Sequence, residues 1–456
     1  QHVMLVEFDM PIGDGPHRRA LDRRAVDQVH DRHENLDAVL AHEDRVARRQ
    51  EDVALGHTGA KCICTNLDRR HVSVFARAVE RPFADPNDFA LGAEGRDGGI
   101  TDRQLFDFNR SARCLDLSAA GEAAKEYKSS GMSILEMSHR SAPIVSLFEE
   151  TTQNLRALLS IPSNYKILWL QGGASSQFSM IPMNLLSEGG TADYMDTGAW
   201  SFKAITECNK IGTANVIGSS KESTYAYIPK DIKQNIASDY FHITSNNTIY
   251  GTQYKEYPKV DNQDGFLVAD MSSDILSKPI NVSDFGLIYA GAQKNMGPAG
   301  VTLVIIRDDL VGKNYREIPT MLNYETHVKK DSMFNTPPVF SVFVVNETLK
   351  WLKDLGGLEA MAAINERKAG NLYSEIDRNP LFKSPIAEED RSLMNVPFIF
   401  SQDDLDDNAF LQFCDKRGLK TLKGHRSVGG FRASIYNAMP EDGVHALIAA
   451  MKAYEG

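Results

Sequence analysis

Short apolar runs alternate with amphipathic stretches along the chain from about Ser118 onward. Four of these runs are suited to buried strands, and each is followed within two residues by Gly or Asp: 166–170, 266–269, 286–290 and 301–306. Between them lie stretches such as 144–159, whose apolar residues recur at spacings of three and four, as a helix packed on a sheet requires. Strands that alternate with helices predict an α/β fold with a mostly parallel sheet.

The last hundred residues have a separate pattern. From about residue 357 the apolar spacing predicts helices at 358–377 and 444–454. We therefore expect a large domain at 118–355 and a smaller C-terminal domain at 356–456.

Basic residues are used differently in the first 110 residues than in the rest of the chain. This stretch holds 15 Arg and one Lys, whereas the remainder holds 11 Arg and 23 Lys. It shows no sustained apolar period, and its 20 acidic residues argue against an organelle transit peptide, which should be poor in acids. We expect residues 1–117 to be an atypical extension that is either disordered or joined to the gene in error.

Overall composition favours small-molecule chemistry. The net charge of -11 argues against a nucleic acid as partner, and no apolar run approaches the roughly 20 residues that span a bilayer. Five scattered cysteines make a disulfide framework unexpected and favour a reducing compartment, and the pair Cys62 and Cys64 lacks the spacing of a zinc site. We expect no bound metal, and a location in the cytoplasm, or in a plastid if the natural N-terminus differs.

Two glycines follow the strand predicted at 166–170. In Gly172-Gly173-Ala174-Ser175, small residues let backbone N–H groups approach an anion, and the start of the next helix adds its positive dipole end. The alternative is a turn that uses glycine only for its backbone freedom. The segment lacks both the GxGxxG spacing and a P-loop lysine, so dinucleotide and ATP sites are disfavoured.

An acid and a lysine end two later strands. Asp270 follows the run at 266–269, and Lys294 follows the run at 286–290. Taken alone, Asp270 could cap a helix at 271–276, and a lysine is usually a solvated surface residue. Together with the glycine turn they meet the requirements of pyridoxal phosphate: the lysine forms the Schiff base, the acid keeps the pyridine nitrogen protonated, and the turn holds the phosphate.

Longer motifs resemble those of a known family. The segments that carry the resemblance are 137–141, 289–300, 333–338 and 429–438. They look like the phosphoserine aminotransferases of the class V pyridoxal-phosphate-dependent aminotransferase family, over a match that we expect to begin near residue 122. The resemblance implies pyridoxal-phosphate transferase fold type I, with a mostly parallel seven-stranded sheet flanked by helices and a smaller C-terminal α+β domain.

The resemblance also implies roles for individual residues. Lys294 would bind the cofactor and move the substrate proton, Asp270 would pair with the pyridine nitrogen, and Trp200 would stack on the ring. The other cofactor residues would be Thr248 at the phenolic oxygen, Ala174, Ser175 and Gln293 at the phosphate, and Asn335 and Thr336 at the phosphate of the opposite subunit. A homodimer with shared active sites follows from the last pair.

Substrate recognition needs cations, because phosphoserine and glutamate each carry two anionic groups. Arg432 resembles the clamp for the α-carboxylate, and the groups for the distal anion would be His139, Arg140, His425 and Arg426. The implied reaction interconverts O-phosphoserine and 2-oxoglutarate with 3-phosphohydroxypyruvate and glutamate, a step of serine biosynthesis.

Two departures from the family pattern leave alternatives open. Some members carry Arg where Ser175 stands, and we expect the Gly-Pro-containing segment that begins the family to be missing. One alternative is another class V activity, such as serine:glyoxylate transamination; cysteine desulfuration is disfavoured because no cysteine lies in a recognisable catalytic loop. The other is a protein that binds the cofactor but is inactive.

Overall fold

The computed structural model describes residues 106–107, 117–313 and 315–456. Nearly all of the predicted extension at 1–117 therefore lies outside the described residues. The strands are β1 Phe106–Asp107, β2 Tyr165–Leu170, β3 Thr191–Asp196, β4 Thr213–Ser219, β5 Tyr240–Thr244, β6 Phe266–Asp270, β7 Phe285–Gly291, β8 Thr302–Arg307, β9 Phe382–Lys383, β10 Asn395–Phe400, β11 Leu419–Lys420 and β12 Phe431–Ser434.

The helices alternate with these strands through most of the chain. They are α1 Leu117–Lys125, α2 Ala142–Leu158, α3 Gly173–Leu185, α4 Ala199–Cys208, α5 Tyr324–Val328, α6 Val339–Asp354, α7 Gly357–Arg378, α8 Asp407–Lys416 and α9 Glu441–Glu455. The predicted helices at 144–159, 358–377 and 444–454 correspond to α2, α7 and α9, with ends that differ by one to three residues. No helix among the described residues is long and apolar enough to cross a bilayer.

Seven strands form the main sheet, in the order β2-β8-β7-β6-β5-β3-β4. The four predicted strands are β2, β6, β7 and β8, and the prediction of a mostly parallel sheet is confirmed. Only β8 runs antiparallel to its neighbours β7 and β2. Because the other strands are parallel, β3, β5, β6 and β7 all end at one edge of the sheet, where ligands bind in open α/β folds.

Both faces of this sheet are covered. On one face, residues such as Ala269 and Ile288 pack into a core shared with α2 and α6. On the other face, Val268 and Tyr289 pack into a core shared with α3 and α4. The alternation of side chains along each strand thus divides neighbouring residues between two cores, as in a three-layer α/β structure.

The C-terminal segment has its own apolar core. Strands β12, β10 and β9 form an antiparallel sheet, which packs with α7, α8 and α9 around a cluster of Phe382, Phe398, Phe400, Phe410 and Phe431. The short strands β1 and β11 pair in parallel, Phe106 opposite Leu419.

A buried lysine fixes the chain after β12. Lys368 of α7 is 1% exposed, and its Nζ donates to the backbone carbonyls of Ile435, Tyr436 and Met439 at 3.0, 2.8 and 3.1 Å. One ammonium group therefore donates to three buried carbonyls, of which that of Tyr436 also accepts from the backbone N–H of Met439 at 2.9 Å.

We expect Lys368→Met to destabilise the protein by about 3 kcal/mol, since the substitution keeps the packing volume but leaves buried carbonyls unpaired. Thermal unfolding followed by circular dichroism measures the effect. The control is Lys452→Met on α9. Lys452 is largely exposed, and its ion pair with the Glu375 carboxylate is long, at 3.9 Å, so its loss should cost little stability. Equal unfolding temperatures for the two variants would contradict the prediction.

Candidate active site

Asp270 is the last residue of β6 and is 5% exposed. Its Oδ1 accepts hydrogen bonds from the backbone N–H of Ser272 at 2.9 Å and from the Ser272 hydroxyl at 2.6 Å. The residues that follow form turns, so the helix that Asp270 might have capped at 271–276 does not occur. The carboxylate is thus held at the edge of the sheet by its own turn.

Lys294 lies in the turn that follows β7 and is half-buried. Its Nζ donates to Thr248 Oγ1 at 2.6 Å and lies 5.2 Å from the centre of the Trp200 ring. Three residues that are far apart in the sequence, Trp200, Thr248 and Lys294, therefore meet at one point.

The charges of this site act on each other. Burial lowers the pKa of Lys294 to about 8, against the opposing effect of the Asp270 charge and with a further lowering by Arg432. Burial raises the pKa of Asp270, whereas its hydrogen bonds from Ser272 and the charge of Lys294 lower it. An amine with a pKa near 8 is available in its neutral form much more than an ordinary lysine.

Trp200 is placed by a glycine that precedes its helix. Gly198 has φ of 155°, and a Cβ at this position would come within 1.7 Å of Asn247 Nδ2. That amide group donates to the Thr197 carbonyl at 2.5 Å, so the loops before Trp200 and Thr248 are tied together. The indole Nε1 of Trp200 is buried without a hydrogen-bond partner among the described residues.

The glycine turn predicted to hold a phosphate leads into α3. Gly172 and Gly173 have positive φ of 90° and 64°, and α3 begins at Gly173. A Cβ at Gly172 would lie 2.0 Å from Ser176 Oγ, so a larger residue cannot be placed there without movement. Ala174 and Ser175 follow in the first turn of the helix, where backbone N–H groups have no partner within the helix.

Asn335 and Thr336 lie beside this turn in the same chain. Asn335 Nδ2 donates to Gln171 Oε1 at 3.2 Å, and Gln171 Nε2 donates to the Thr336 carbonyl at 3.3 Å. Among the described residues, neither makes a hydrogen bond to Lys294 or Asp270.

Arg432 is the second residue of β12. Its guanidinium contacts Thr248, the residue that also accepts a hydrogen bond from Lys294. Its Nη1 donates to the Thr248 carbonyl at 3.2 Å, while its Nε is buried without a partner among the described residues. Burial lowers the pKa of His425, and the positive charges of Arg432 and Arg426 lower it further. Thr248 thus joins the lysine to Arg432.

The remaining predicted residues are not joined to this group within one chain. His139 is 8% exposed with an unpaired Nε2, and Arg140 is exposed. No hydrogen bond or ion pair between described residues links either of them to Lys294, Asp270 or Arg432. Gln293 is exposed immediately before Lys294.

Ser272 and Asn247 belong to the site but were not predicted from the sequence. Ser272 both donates to Asp270 and accepts from the backbone N–H of Gly291 at 3.0 Å, so it ties the ends of β6 and β7. Aspartate and serine both favour turns, so a serine two residues after an acid at a strand end could have been recognised in the sequence as part of a turn around Asp270. Asn247 gave no such signal, because its role depends on the distant Gly198.

These residues fit pyridoxal phosphate. The buried, unpaired nitrogens of Trp200 and Arg432 need partners that the described protein does not supply, and the turn at Gly172 offers N–H groups to a phosphate. A half-buried lysine and a buried carboxylate at neighbouring strand ends are the groups that a covalent link and a partner for a ring nitrogen would require.

Comparison with known proteins agrees with this geometry. The sequence profile of the family described as aminotransferase class-V matches residues 115–447. A phosphoserine aminotransferase of Bacillus cereus is 50% identical over 357 residues, which cover 77% of this chain and 98% of the relative. One from Parabacteroides distasonis is 50% identical over 335 residues, which cover 73% of this chain and 93% of the relative.

Solved structures are similar along the same part of the chain. The pyridoxal-phosphate-bound phosphoserine aminotransferase of Trichomonas vaginalis has a TM-score of 0.71 at 41% identity, covering 75% of this chain and 97% of that one. The phosphoserine aminotransferase of Bacillus circulans subsp. alkalophilus has a TM-score of 0.73 at 45% identity, covering 77% of this chain and 98% of that one.

The match begins earlier than the sequence motifs indicated. Because the family profile starts at residue 115, the expected start near residue 122 is wrong. Almost the whole length of the Bacillus cereus relative has a counterpart here, which does not support the expectation that the segment beginning the family is missing. The chain belongs to the aminotransferase class V family and is a pyridoxal-phosphate-dependent transaminase.

Proposed function

We propose that this transaminase exchanges an amino group between O-phosphoserine and 2-oxoglutarate, giving 3-phosphohydroxypyruvate and glutamate, with Lys294 as the lysine that binds the cofactor. The observation that carries the proposal is the position of Lys294 Nζ, 2.6 Å from Thr248 Oγ1 and 5.2 Å from the Trp200 ring centre. The 50% identity to phosphoserine aminotransferases over almost their full length supports the choice of substrate.

Each part of the cofactor is assigned to a different group of residues. Asp270 would hold the pyridine nitrogen and keep it protonated; its Oδ1 accepts two hydrogen bonds from Ser272, which leaves Oδ2 for this role. Trp200 would stack on the ring, and Thr248 would hold the phenolic oxygen. Ala174, Ser175 and Gln293 would hold the phosphate at the start of α3. When bound, the cofactor ring accepts the electron pair released at the substrate α-carbon.

Lys294 is the group that moves the proton of the substrate α-carbon. A lysine with a pKa of about 8 exchanges a proton readily near neutral pH, where a lysine with its usual pKa would stay charged. Burial supplies this shift, and the nearby Arg432 charge adds to it. Thr248 accepts a hydrogen bond from Nζ and so keeps the amine directed at the site.

The cationic groups recognise the two anionic ends of each substrate. Arg432 binds the α-carboxylate, and its orientation is held by the hydrogen bond to the Thr248 carbonyl. His425 and Arg426 bind the phosphate of phosphoserine or the distal carboxylate of glutamate, together with His139 and Arg140. Serine and glyoxylate would leave this second group of cations without an anion, which favours the dianionic substrates.

We also propose that the protein acts as a homodimer. Asn335 and Thr336 would then reach the cofactor phosphate of the opposite subunit, as the family resemblance implies, while staying hydrogen-bonded to Gln171 of their own chain. In this arrangement residues 118–355 form the cofactor-binding domain, and 356–456 form the small domain that contributes Arg432.

A two-substrate absorbance titration tests the proposed function. Adding O-phosphoserine to the cofactor-loaded protein should bleach the band of the lysine-bound cofactor, and 2-oxoglutarate should restore it. Lys294→Ala should show neither the band nor the change. Serine with glyoxylate is the control pair. A response to that pair alone would show that the proposed substrates are wrong and that serine and glyoxylate are the substrates. A band that no amino acid bleaches would indicate a protein that binds the cofactor without turnover.

Cofactor capture by the apoprotein should depend on pH with a midpoint near 8, because only the neutral form of Lys294 is a nucleophile. The capture rate should rise as the pH rises through this value. Arg432→Met removes a charge that lowers the pKa of Lys294, so the midpoint should move upward, toward the usual lysine value of about 10.4. Stopped-flow absorbance measures the rate. Arg426→Met removes an exposed charge and should leave the midpoint in place; equal shifts in both variants would contradict the assignment.

A further inference from the structure

Arg432 lies on one face of the antiparallel sheet formed by β9, β10 and β12. In the register of β10 and β12, Pro397 stands opposite Arg432, and Asn395 stands opposite Ser434. Because directly opposite residues point to the same face of a sheet, these four side chains share one face. The alternate residues of both strands, such as Phe398, pack in the phenylalanine core on the other face. The face that carries Arg432 is therefore held by contacts outside that core.

The loop at 245–254, which follows β5 and carries Thr248, lies against this face. Every residue of this Thr248 loop is buried. A Cβ at Gly251 would come within 2.3 Å of Pro397 Cδ, so the backbone of the loop packs directly on β10. The backbone N–H of Ser392, just before β10, donates to the Gly251 carbonyl at 2.9 Å. The loop and the strand are thus joined along their backbones.

Two buried asparagines extend this connection to β12. Asn246 of the loop and Asn395 of β10 are 1% and 0% exposed. Asn246 Nδ2 donates to Asn395 Oδ1 at 2.8 Å. Asn395 Nδ2 in turn donates to Ser434 Oγ at 3.0 Å and to Tyr436 Oη at 3.2 Å. Two side-chain amides therefore link the Thr248 loop to the strand of Arg432.

The orientation of both amides follows from Ser392. Its Oγ accepts from the backbone N–H groups of Met394 and Asn395, each at 2.9 Å. Its single proton is therefore left for Asn246 Oδ1, to which it donates. Asn246 must then present Nδ2 to Asn395, and Asn395 must present Oδ1 to Asn246. The direction of this series of hydrogen bonds is thus set by backbone donors.

Asn246 also contacts the turn that follows Asp270. Its Nδ2 donates to Ser273 Oγ at 2.8 Å, and the Ser273 hydroxyl donates to the Asn246 carbonyl at 2.7 Å. Both N–H groups of the Asn246 side chain and its oxygen are therefore in use. The same residue joins the Thr248 loop, the turn after Asp270 and β10.

The guanidinium of Arg432 has few contacts of its own to hold it. Among the described residues its only hydrogen bond runs from Nη1 to the Thr248 carbonyl, at 3.2 Å, and its Nε is buried without a partner. The location of the guanidinium thus depends on how β12 and the Thr248 loop are placed relative to each other. The amides of Asn246 and Asn395 fix that placement.

We propose that Asn246 and Asn395 are positioning residues for Arg432: their amide–amide hydrogen bond holds β12 against the Thr248 loop, so that the guanidinium meets the α-carboxylate of the substrate. The inference rests on the proposed role of Arg432 as the carboxylate clamp. Neither asparagine is hydrogen-bonded to Arg432 or Lys294 in the described part of the chain. Both act through the segments that carry those residues.

Binding of glutarate to the cofactor-loaded protein tests the proposal without turnover, because glutarate has two carboxylates and no amino or keto group. Asn395→Leu should raise its dissociation constant about tenfold, as expected when the hydrogen bonds that hold a binding group are lost. Ser434→Ala removes a single hydroxyl from β12, and this milder variant should raise the constant about threefold. Isothermal titration calorimetry measures the constants.

The matched control is Asn346→Leu on α6. Asn346 is also 0% exposed, and its Oδ1 accepts from Asn154 Nδ2 at 2.9 Å, far from β12 in the sequence. Asn346→Leu should lower the unfolding temperature but leave the glutarate constant unchanged. Equal glutarate constants for Asn395→Leu and Asn346→Leu, or an unchanged constant in a folded Ser434→Ala, would overturn the proposal.

Aspartate substitutions test the direction of the hydrogen bonds. Asn395→Asp keeps an acceptor for Asn246, and its second oxygen accepts from the hydroxyls of Ser434 and Tyr436, which can donate as well as accept. Asn246→Asp instead sets an oxygen against Asn395 Oδ1. Each variant buries one carboxylate, so the general cost of burial is matched. We expect the glutarate constant to rise about tenfold more in Asn246→Asp than in Asn395→Asp, and equal increases would count against the proposal.

Turnover distinguishes positioning from loss of folded enzyme. A displaced Arg432 weakens the ground state and the transition state alike, so Asn395→Leu should raise KM for both substrates and keep kcat within about threefold. A merely structural defect would reduce the amount of active enzyme, which lowers kcat and leaves KM in place. That second pattern would contradict the proposal.

Arg432→Met separates this inference from the proposed function. If the unaltered protein does not bind glutarate, or if Arg432→Met binds it equally well, the proposed role of Arg432 is wrong. If Arg432→Met weakens binding but Asn395→Leu behaves like Asn346→Leu, only the positioning role of the asparagines is overturned. Weaker binding in Arg432→Met, Asn395→Leu and Ser434→Ala, with the expected difference between the two aspartate variants, supports both.

Discussion

The pairing of β6 with β7 is the constraint on which the site depends. Parallel register brings Asp270 opposite Tyr289, and the same two strands end where the Lys294 turn begins. Ser272 joins these strand ends, since it donates to Asp270 and accepts from the Gly291 N–H. A register shift of one residue would turn every side chain of a strand to the other face of the sheet. The position of the Asp270 side chain would then be taken by a neighbouring residue that now packs in the opposite core.

Burial of charge follows from this position, and the protein offsets its cost locally. Asp270 lies at the end of a strand whose five residues are all buried, where an isolated carboxylate would tend to be neutral. Ser272, Tyr289 and Lys294 all favour the ionised form. The same low-polarity surroundings lower the pKa of Lys294, so burial at the edge of the sheet favours the neutral amine directly, whereas at Asp270 its effect has to be offset by neighbouring groups.

The sequence predicted those parts of the structure that local pattern determines. Apolar runs located β2, β6, β7 and β8, and the Gly-rich turn before α3 was recognised because positive φ at Gly172 and Gly173 requires glycine. Motif resemblance then gave the family. Local pattern could not reveal that β8 is antiparallel, because a fully buried strand has the same apolar run in either direction.

Contacts between distant segments were also beyond the reach of local pattern. The link from Thr248 to both Lys294 and Arg432 joins residues 46 and 184 positions apart. The segment at 271–276 was compatible with a helix, yet it forms turns. Its carbonyls accept instead from residues elsewhere in the chain: Ile275 from Asn295 at 2.7 Å and Leu276 from Asn437 at 2.9 Å.

A buried group of hydrogen-bonded asparagines connects the segment of Lys294 with the segment of Arg432 in the candidate active site. Asn295 follows Lys294 directly, and its Oδ1 accepts from the backbone N–H of Asn437 at 2.9 Å. Asn437 follows β12, the strand that carries Arg432, and its Oδ1 accepts from Asn365 of α7 at 2.9 Å. Because each side-chain amide here bridges backbone or side-chain groups of different segments, displacement of β12 would break several buried hydrogen bonds at once. The distance between the amine of Lys294 and the guanidinium of Arg432 is therefore set by these asparagines as well as by Thr248.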